Sequence, residues 1–263
     1  MKNVPRDSQQ SSYIPRAIIS TGGARIHAGE QQIEVITIRL GLTSRAYLVR
    51  QHGAVLVDTG VPGREGAIVA RMKEAGIHPH DLRLIILTHG HADHAGSARA
   101  LRELSGAPVA VHRDDASMVR SGRQGTLVPT GTAGLVLGAL YGRKGSAHFP
   151  PLEPDLLLGD SFALNEYGIR GEVIHTPGHT AGSVSLLLGN GDAIVGDLVF
   201  PAIPTGRPGL PFFADDLEEV RASIGKVLAF QGGTIYPGHG GPFSSARVRH
   251  CFPGNPPKSP GQA

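Results

Sequence analysis

The sequence predicts one large domain that mixes α-helices and β-strands, on three observations. The length of 263 residues fits one sizeable domain and leaves no room for a second. Hydrophobic residues make up 40% of the chain, which is enough to build a substantial core. Apolar strand-like segments recur between helical patterns and turns rich in glycine and proline, which indicates ordered loops rather than disorder.

Apolar runs predict the elements of the first half of the chain. A hairpin turn at 51–53 separates two strands, Gly76 ends the first helix and Gly106 ends the second. The predicted strands are 32–40, 44–50, 54–58, 83–88 and 108–112, and the predicted helices are 63–75, 95–105 and a short one that begins at Asp114 and Asp115.

The second half of the chain alternates in the same way. A helix is predicted from Asp215 to about residue 230, with Asp215 as its N-cap and Glu218 completing an approximate capping box. The predicted strands are 171–175, 183–188, 193–195 and 234–236.

Local composition predicts the boundaries of the domain. Residues 1–30 are expected to form a flexible leader, 31–250 the single domain, and 251–263 a frayed, proline-rich tail. Residues 121–158 are the least regular part and contain an apolar island at 135–141. We expect this stretch to be an insertion over the functional site.

Charge and cysteine content argue against several classes of protein. The net charge of +3 comes without a basic run interleaved with aromatic residues, so no nucleic-acid partner is expected. No segment approaches the roughly 18 apolar residues of a membrane span, and the polar N-terminus lacks the apolar core of a signal peptide. Cys251 is the only cysteine, so an intrachain disulfide is impossible. The expectation is a cytoplasmic protein that acts on a small molecule, without a membrane partner and with a homodimer as one option.

Residues 88–94, with the sequence THGHADH, are the most informative stretch. Three histidines and one aspartate, His89, His91, Asp93 and His94, fall within six positions directly after the buried strand that ends near Thr88. Imidazole nitrogen and carboxylate oxygen are the donors that a divalent ion such as zinc prefers. This end of the strand is therefore predicted to bind metal.

Three further motifs each place one metal-binding type of residue after a predicted strand. They are TPGHT at 176–180 with His179, VGD at 195–197 with Asp197, and YPGHG at 236–240 with His239. With the first cluster they make five histidines and two aspartates, about the number that two metal ions need when a water is shared.

This ordered set of motifs, together with Asp58-Thr59-Gly60 after an early strand, resembles the metallo-β-lactamase-fold hydrolases over about residues 33–245. The resemblance implies the α+β class and a four-layer αββα sandwich, in which two β-sheets are flanked by helices. Because fold does not settle function, the activity still has to be argued from the site.

The resemblance also implies a role for each matching residue. His89, His91 and His179 would hold a first metal ion, and Asp93, His94 and His239 a second, while Asp197 would bridge both together with a hydroxide. Two divalent ions are expected, zinc first, with manganese or iron as alternatives. Asp93 and Asp58 are the predicted catalytic residues: Asp93 as a proton relay, and Asp58 as a carboxylate that steers a metal-binding histidine.

The predicted reaction is hydrolysis of a small ester-like bond, in a thioester, a lactone or a phosphoester, by the metal-bridging hydroxide. The motifs are closely similar to those of glyoxalase II-type thioesterases. However, only 24 residues follow His239, so the glutathione-binding C-terminal domain of those enzymes is not expected. Two alternatives stay open. A β-lactam hydrolase is disfavoured because no cysteine lies in the motifs, and a mononuclear iron persulfide dioxygenase-type oxidoreductase would need only His89, His179 and Asp197.

Aromatic and aliphatic residues near the motifs are candidates for the substrate pocket. They either wall an apolar pocket or simply pack in the core, and the sequence does not separate the two. The candidates are Phe200, Phe212 and Phe213 after Asp197, and Leu135, Leu137 and Tyr141 from the insertion. His175 is likewise either a hydrogen-bond partner of the site or a packed strand-end residue, and His112 is a weaker candidate for the pocket lining.

Overall fold

The computed structural model of the chain describes residues 31–41, 44–142, 147–230 and 232–254. Its first sheet consists of β1 (Glu34–Leu40), β2 (Ser44–Arg50), β3 (Ala54–Val57), β4 (Leu82–Ile86), β5 (Val109–His112) and β6 (Leu156–Leu158), in that order. The strands β1 to β3 pair antiparallel, and β3 to β6 pair in parallel.

The second sheet is built from the C-terminal half of the chain. The strands that follow are β7 (Ser161–Ala163), β8 (Gly171–His175), β9 (Val184–Leu188), β10 (Ala193–Gly196), β11 (Phe200–Ala202), β12 (Arg207–Gly209), β13 (Thr234–Pro237) and β14 (Phe243–Ser244). The sheet order is β14-β13-β10-β9-β8-β7, while β11 and β12 form a separate hairpin. Of the described strands in this sheet, β10 and β13 pair in parallel and the other neighbours pair antiparallel.

Seven α-helices connect and cover the sheets in the described part of the chain. They are α1 (Glu65–Glu74), α2 (Ala92–Ala95), α3 (Ala98–Ser105), α4 (Ala116–Ser121), α5 (Gly131–Gly142), α6 (Leu217–Phe230) and α7 (Ser245–Cys251). Short 3-10 turns occur at Pro79–Asp81 and Asn165–Tyr167. Among these described helices, none combines the length and the apolar character that crossing a bilayer requires.

Alternating side chains divide the core into three apolar layers. Because successive residues of a strand point to opposite faces, Tyr47 and Val49 of β2 pack between the two sheets, whereas Ala46 and Leu48 face the other way. That outer layer contains side chains of α1 and α3, such as Ile68 of α1. A third layer joins the second sheet to α6 and α7. The order helix, sheet, sheet, helix confirms the predicted four-layer sandwich.

Several predicted elements differ from those in the structure. The helix predicted over 95–105 begins only at Ala98, as α3, and a separate short helix, α2, precedes it at Ala92–Ala95. The N-cap of α6 is Asp216 rather than Asp215, because one Asp216 carboxylate oxygen accepts hydrogen bonds from the amides of Glu218 and Glu219 at 2.8 and 3.0 Å. The sequence could not distinguish two adjacent aspartates that differ by one position in the turn.

The boundaries predicted for the insertion and for the tail also differ from those in the structure. Ser121 closes α4, residues 131–142 form α5, and residues 156–158 form β6, which pairs with β5 in the first sheet. The insertion is therefore shorter than 121–158 at both ends. At the other boundary, Cys251 belongs to α7 and Phe252 is buried in the third core layer, so neither residue is frayed. The predicted leader at 1–30 and the tail beyond residue 254 lie outside the described residues.

Five loops that follow strands meet at one edge of the sandwich. The loops after β3 and β4 carry Asp58 and residues 88–94, and those after β8, β10 and β13 carry His179, Asp197 and His239. Both sheets therefore contribute to one site, from segments that lie up to 181 positions apart in the sequence between Asp58 and His239.

Candidate metal centre

The structure brings all seven predicted metal-binding residues together at this edge. His89, His91 and His179 form one group that could hold a metal ion, with their donor atoms within 4.8 Å of one another. Asp93, His94 and His239 form a second group by the same measure. These are the two sets that the resemblance implied, although binding of metal by them stays a prediction.

Asp197 lies between the two groups. Its Oδ2 is 3.5 Å from Nε2 of His179 in the first group and 3.4 Å from Nε2 of His239 in the second. Its Oδ1 is 3.3 Å from Nε2 of His94. One buried carboxylate therefore faces both groups, which is the position needed to bridge two cations.

Several imidazole nitrogens in the site lie close to one another. Nε2 of His179 lies 3.1 Å from Nδ1 of His91, and Nε2 of His94 lies 3.3 Å from Nε2 of His239. Nε2 of His89 is buried without a hydrogen-bond partner among the described residues. Unpaired buried nitrogen is costly, and lone pairs that converge on one point suit a cation. The residues present therefore fit a metal.

Neighbouring groups orient the histidine rings. Nδ1 of His94 donates to Asp58 at 2.8 Å, and Nδ1 of His179 donates to the carbonyl of Phe213 at 2.8 Å. The Thr88 hydroxyl contacts both the Asp58 carboxylate and Nδ1 of His89. Since the hydroxyl has one proton to give, donation to Asp58 leaves it to accept from His89. Each of these rings then presents Nε2 to the site, as expected where a second partner sets the tautomer.

The charges of the site are coupled. Burial lowers the pKa of His89 well below its ordinary value and that of His91 to about 3, so both rings are neutral at neutral pH. Burial would also lower the pKa of His94 and His239, but Asp197 and other carboxylates outweigh it. They raise the pKa of His94 well above its ordinary value and that of His239 to about 9.

The carboxylates respond in the opposite direction. Burial would raise the pKa values of Asp93 and Asp197, but His94 and His239 outweigh this effect and lower both. The site therefore contains carboxylates that stay ionised and two imidazoles that hold protons which a bound cation would displace.

Asp58 does not lie among the donor atoms of either group but supports them from behind. It is buried, its backbone adopts the left-handed region at φ 62°, and its carboxylate accepts from the amide of Thr88 at 2.8 Å as well as from His94. Aspartate tolerates this backbone region better than most residues. Asp58 thus contacts a histidine of the second group, and its predicted role in steering that ring stays a prediction.

Gly238 of the YPGHG motif lies where the backbone passes close to two side chains of the site. A Cβ atom on Gly238 would lie 2.4 Å from Oδ1 of Asp197 and 2.5 Å from Cε1 of His94. The loop that carries His239 can approach the other groups only because this position has no side chain.

Aromatic residues border the second group. The ring of Phe200 stacks on His239 with centroids 4.9 Å apart, and Phe212 contacts Phe200 edge-on at 5.6 Å. The segment that contains Phe212 and Phe213 also packs against the start of α5: Thr130 donates its amide to the Phe212 carbonyl at 2.8 Å. On α5, Leu135 and Val136 are exposed. The insertion thus borders the site through the 211–213 segment; the side chain of Tyr141 is outside the described part.

The two weaker histidine candidates lie beside the site rather than in it. His112 and His175 stack almost parallel, with ring centroids 4.0 Å apart, and Nε2 of His175 bonds the carbonyl of Ala181 at 2.8 Å. Asp114 lies near His112, at 3.5 Å. The donor atoms of His112, Asp114 and His175 lie within 4.8 Å of one another, but Nε2 of His175 already bonds the Ala181 carbonyl.

Sequence reasoning missed one buried carboxylate near the site. Asp115, predicted only as the start of a helix, accepts hydrogen bonds from Gly90, Thr180 and Gly182. The adjacent pair Asp114 and Asp115 after a strand was visible in the sequence. However, nothing in it indicated which aspartate is buried against the motifs.

Comparison with known proteins places the chain among metal-dependent enzymes. The model of the metallo-beta-lactamase superfamily matches residues 40–239. A protein of Methanocaldococcus jannaschii named "Probable metallo-hydrolase" is 30% identical over 204 residues, covering 76% of this chain and 89% of that protein. A hydroxyacylglutathione hydrolase of Anaeromyxobacter dehalogenans is 31% identical over 203 residues, covering 76% of this chain and 63% of that protein.

Solved structures agree. A metallo-beta-lactamase family protein of Thermus thermophilus is 25% identical with a TM-score of 0.61, covering 84% of this chain and 78% of that one. The BLEG-1 B3 metallo-beta-lactamase is 26% identical with a TM-score of 0.62, covering 85% of this chain and 98% of that one. These matches confirm the predicted fold and the predicted class of metal-dependent hydrolase. The chain belongs to the metallo-beta-lactamase superfamily.

Proposed function

We propose that this protein is a binuclear metal-dependent hydrolase of a small ester-like bond. The observation that carries the proposal is the position of Asp197, within 3.5 Å of donor atoms from both metal-binding groups. Three histidines form one group and Asp93, His94 and His239 the other. When bound, two divalent ions would polarise the attacked oxygen of the substrate and lower the pKa of water to near neutrality. Zinc is the expected ion.

Residues of the chain orient the histidine rings and transfer the proton. Asp58, Thr88 and the Phe213 carbonyl hold the histidine rings with Nε2 toward the site. Asp93 lies 3.2 Å from His239, and its partly exposed side chain reaches toward solvent. A carboxylate in that place is suited to take a proton from water and return it to the leaving group. Asp93 is therefore the proposed proton relay.

The border of the site favours a substrate with an apolar part. Phe200 and Phe212 adjoin the second group, and α5 carries no charged residue while it exposes Leu135 by 62% and Val136 by 58%. Exposed apolar side chains next to a polar centre are typical of ligand sites. An acyl thioester, an acyl ester or a lactone with an alkyl chain fits this border better than a compact charged phosphoester.

Metal content tests the proposal most directly. Protein purified without chelator is expected to contain two divalent ions per chain by elemental analysis, and Asp197→Ala is expected to lose both or bind them far more weakly. A screen of thioesters, lactones, phosphodiesters and a β-lactam then identifies the bond. One iron per chain would instead support the persulfide dioxygenase alternative, and no metal after reconstitution would contradict the proposal.

A further inference from the structure

Asp115 is a buried carboxylate outside both metal-binding groups, only 1% exposed, at the end of the loop that precedes α4. Its Oδ2 accepts from the amide of Gly90 and from the hydroxyl of Thr180, each at 2.8 Å. Its Oδ1 accepts from the amide of Gly182, also at 2.8 Å. Hydrogen bonds to an ionised acceptor are roughly twice as strong as neutral ones.

These donors belong to the two loops that carry the first metal-binding group. Gly90 lies between His89 and His91, and Thr180 directly follows His179. The loops come from different sheets, since one follows β4 and the other follows β8. A single carboxylate therefore joins the loop of His89 and His91 to the loop of His179.

Helix capping does not explain the buried carboxylate. Asp115 occupies the N-cap position of α4, where an aspartate normally accepts from an amide in the first turn. Its side chain makes no such bond here, and both oxygens point to the two loops instead. An N-cap role alone would leave the carboxylate free to face solvent.

The loops around the Asp115 side chain leave little space. A Cβ atom on Gly182 would lie 2.6 Å from the Asp115 carboxylate, and one on Gly90 would lie 2.9 Å from Met118 of α4. Gly182 thus approaches the carboxylate, and Gly90 the start of α4, as closely as glycine allows. A longer side chain at position 115 or a displaced loop would not fit.

The opposite side of the site has a different carboxylate. Asp58 bonds His94 of the second group and Thr88, whose hydroxyl contacts His89. Asp115 has no hydrogen bond to the loop of His239 or to His94 among the described residues. Asp58 therefore reaches His94 of the second group and, through Thr88, His89 of the first, whereas Asp115 bonds the chain next to the three histidines of the first group.

We propose that Asp115 is a positioning residue that holds His89, His91 and His179 in register and so sets the metal affinity of the first group selectively. The inference rests on the proposed binuclear centre. Loss of a partner of this kind typically lowers metal affinity by roughly 10–100-fold. A residue that merely stabilised the fold would weaken both groups alike.

The test measures zinc affinity of each group separately. His239→Ala leaves the first group intact, and His91→Ala leaves the second. In the His239→Ala background, Asp115→Asn is expected to weaken zinc binding by roughly 10–100-fold, because an amide nitrogen must face one of the N–H or O–H donors. In the His91→Ala background it is expected to leave the zinc affinity unchanged. Glu103→Gln, which alters an exposed carboxylate on α3 outside every group of possible metal-binding residues, is the control in both backgrounds.

Thr180 provides a second route if Asp115→Asn fails to fold, as judged by thermal melting of the metal-free protein. Thr180→Val keeps the side-chain volume and removes one bond to Asp115, whereas Thr180→Ser keeps the hydroxyl. Only Thr180→Val should weaken zinc binding in the His239→Ala background. Equal weakening of both groups, or no weakening by either substitution, would overturn the role of Asp115 while the unaltered protein still binds two ions. A protein that binds no zinc at all would overturn the centre itself.

Discussion

Nδ1 of His94 lies 2.8 Å from a carboxylate oxygen of Asp58, a residue whose backbone adopts the left-handed region at φ 62°. The two residues are 36 positions apart, in the loops that follow β3 and β4. Backbone strain in a non-glycine residue persists only where the surroundings enforce it. Here the backbone of Asp58 places its carboxylate where it fixes the tautomer of His94, with Nε2 directed at the second metal-binding group.

Asp58→Asn tests this relationship without disturbing the backbone, because asparagine tolerates the left-handed region equally well. The amide oxygen would be needed to accept from the Thr88 amide, as Oδ1 of Asp58 does, so the amide nitrogen would face Nδ1 of His94. Donation from it moves the ring proton to Nε2, where the proton competes with metal. We expect the second ion to bind roughly 10–100-fold more weakly, as measured by zinc titration in the His91→Ala background. Unchanged affinity there would show that Asp58 does not set the tautomer.

Proton release on metal binding follows from the charges of the metal-free site. The pKa of His239 is raised to about 9 and that of His94 well above its ordinary value, so both are protonated at pH 7. His89 and His91 have lowered pKa values and carry no extra proton. Zinc loading at pH 7 is expected to release about two protons from these rings. Calorimetry in buffers of different ionisation enthalpy measures the number.

The raised pKa of His239 determines how zinc affinity changes with pH. His239, with a pKa of about 9, loses the proton that competes with metal progressively as the pH rises toward 9, so zinc affinity is expected to rise up to about pH 9 and to level off above it. Protonated His239 stabilises the metal-free fold fully below pH 6.5, and this contribution is lost as the pH rises through about 9. Affinity that falls between pH 7 and 9, or proton uptake on loading, would contradict the assignment.

Gly238→Ala is expected to remove metal while leaving the fold largely intact. The new Cβ atom would lie 2.4 Å from Asp197 and 2.5 Å from His94, so both side chains must move. Elemental analysis should show fewer than two ions per chain, with little hydrolysis of any substrate. The control is Gly66→Ala in α1, where a Cβ atom meets nothing within 4 Å. That substitution should retain metal and stabilise the helix by roughly 0.5–1 kcal/mol.

Phe200→Ala tests the apolar border of the site. If an alkyl chain of the substrate packs on Phe200 and Phe212, kcat/KM should rise with chain length by up to about fourfold per methylene, from ~0.8 kcal/mol per buried CH₂. Removal of the Phe200 ring should flatten this dependence. The metal content should stay unchanged, since Phe200 stacks on His239 but offers no donor atom. Equal slopes for the two proteins would place the alkyl chain elsewhere.

The motifs themselves predicted much of the site. His89, His91, Asp93 and His94 are close in space because they are close in sequence, in a loop that begins where β4 ends. Strand patterns of period two and glycine signals were enough to place most strands and the end of α3 at Gly106, which has φ 74°. The resemblance then supplied the division of the histidines between two groups; the donor atoms of each group lie within 4.8 Å of one another, and which residues bind which ion stays a prediction.

Other features depended on how the sheets close on each other. Residues 156–158 looked like part of a loop because a three-residue strand has no periodicity to detect, and only pairing with β5 makes it a strand. Asp215 and Asp216 are equivalent cap residues in sequence, and the path of the chain into α6 selects the second.

The residues proposed to bind metal could be picked out from the chain alone, because donor chemistry belongs to the side chain and the strand-loop pattern is local. Asp58 was the one orienting neighbour predicted from the sequence; Asp115 and the Phe213 carbonyl became visible only once the two sheets were packed together. Asp115 meets Thr180 across 65 positions and His179 meets the Phe213 carbonyl across 34. Hydrogen bonds between loops of different sheets depend on how apolar layers far from the site pack together, and no local sequence pattern encodes that packing.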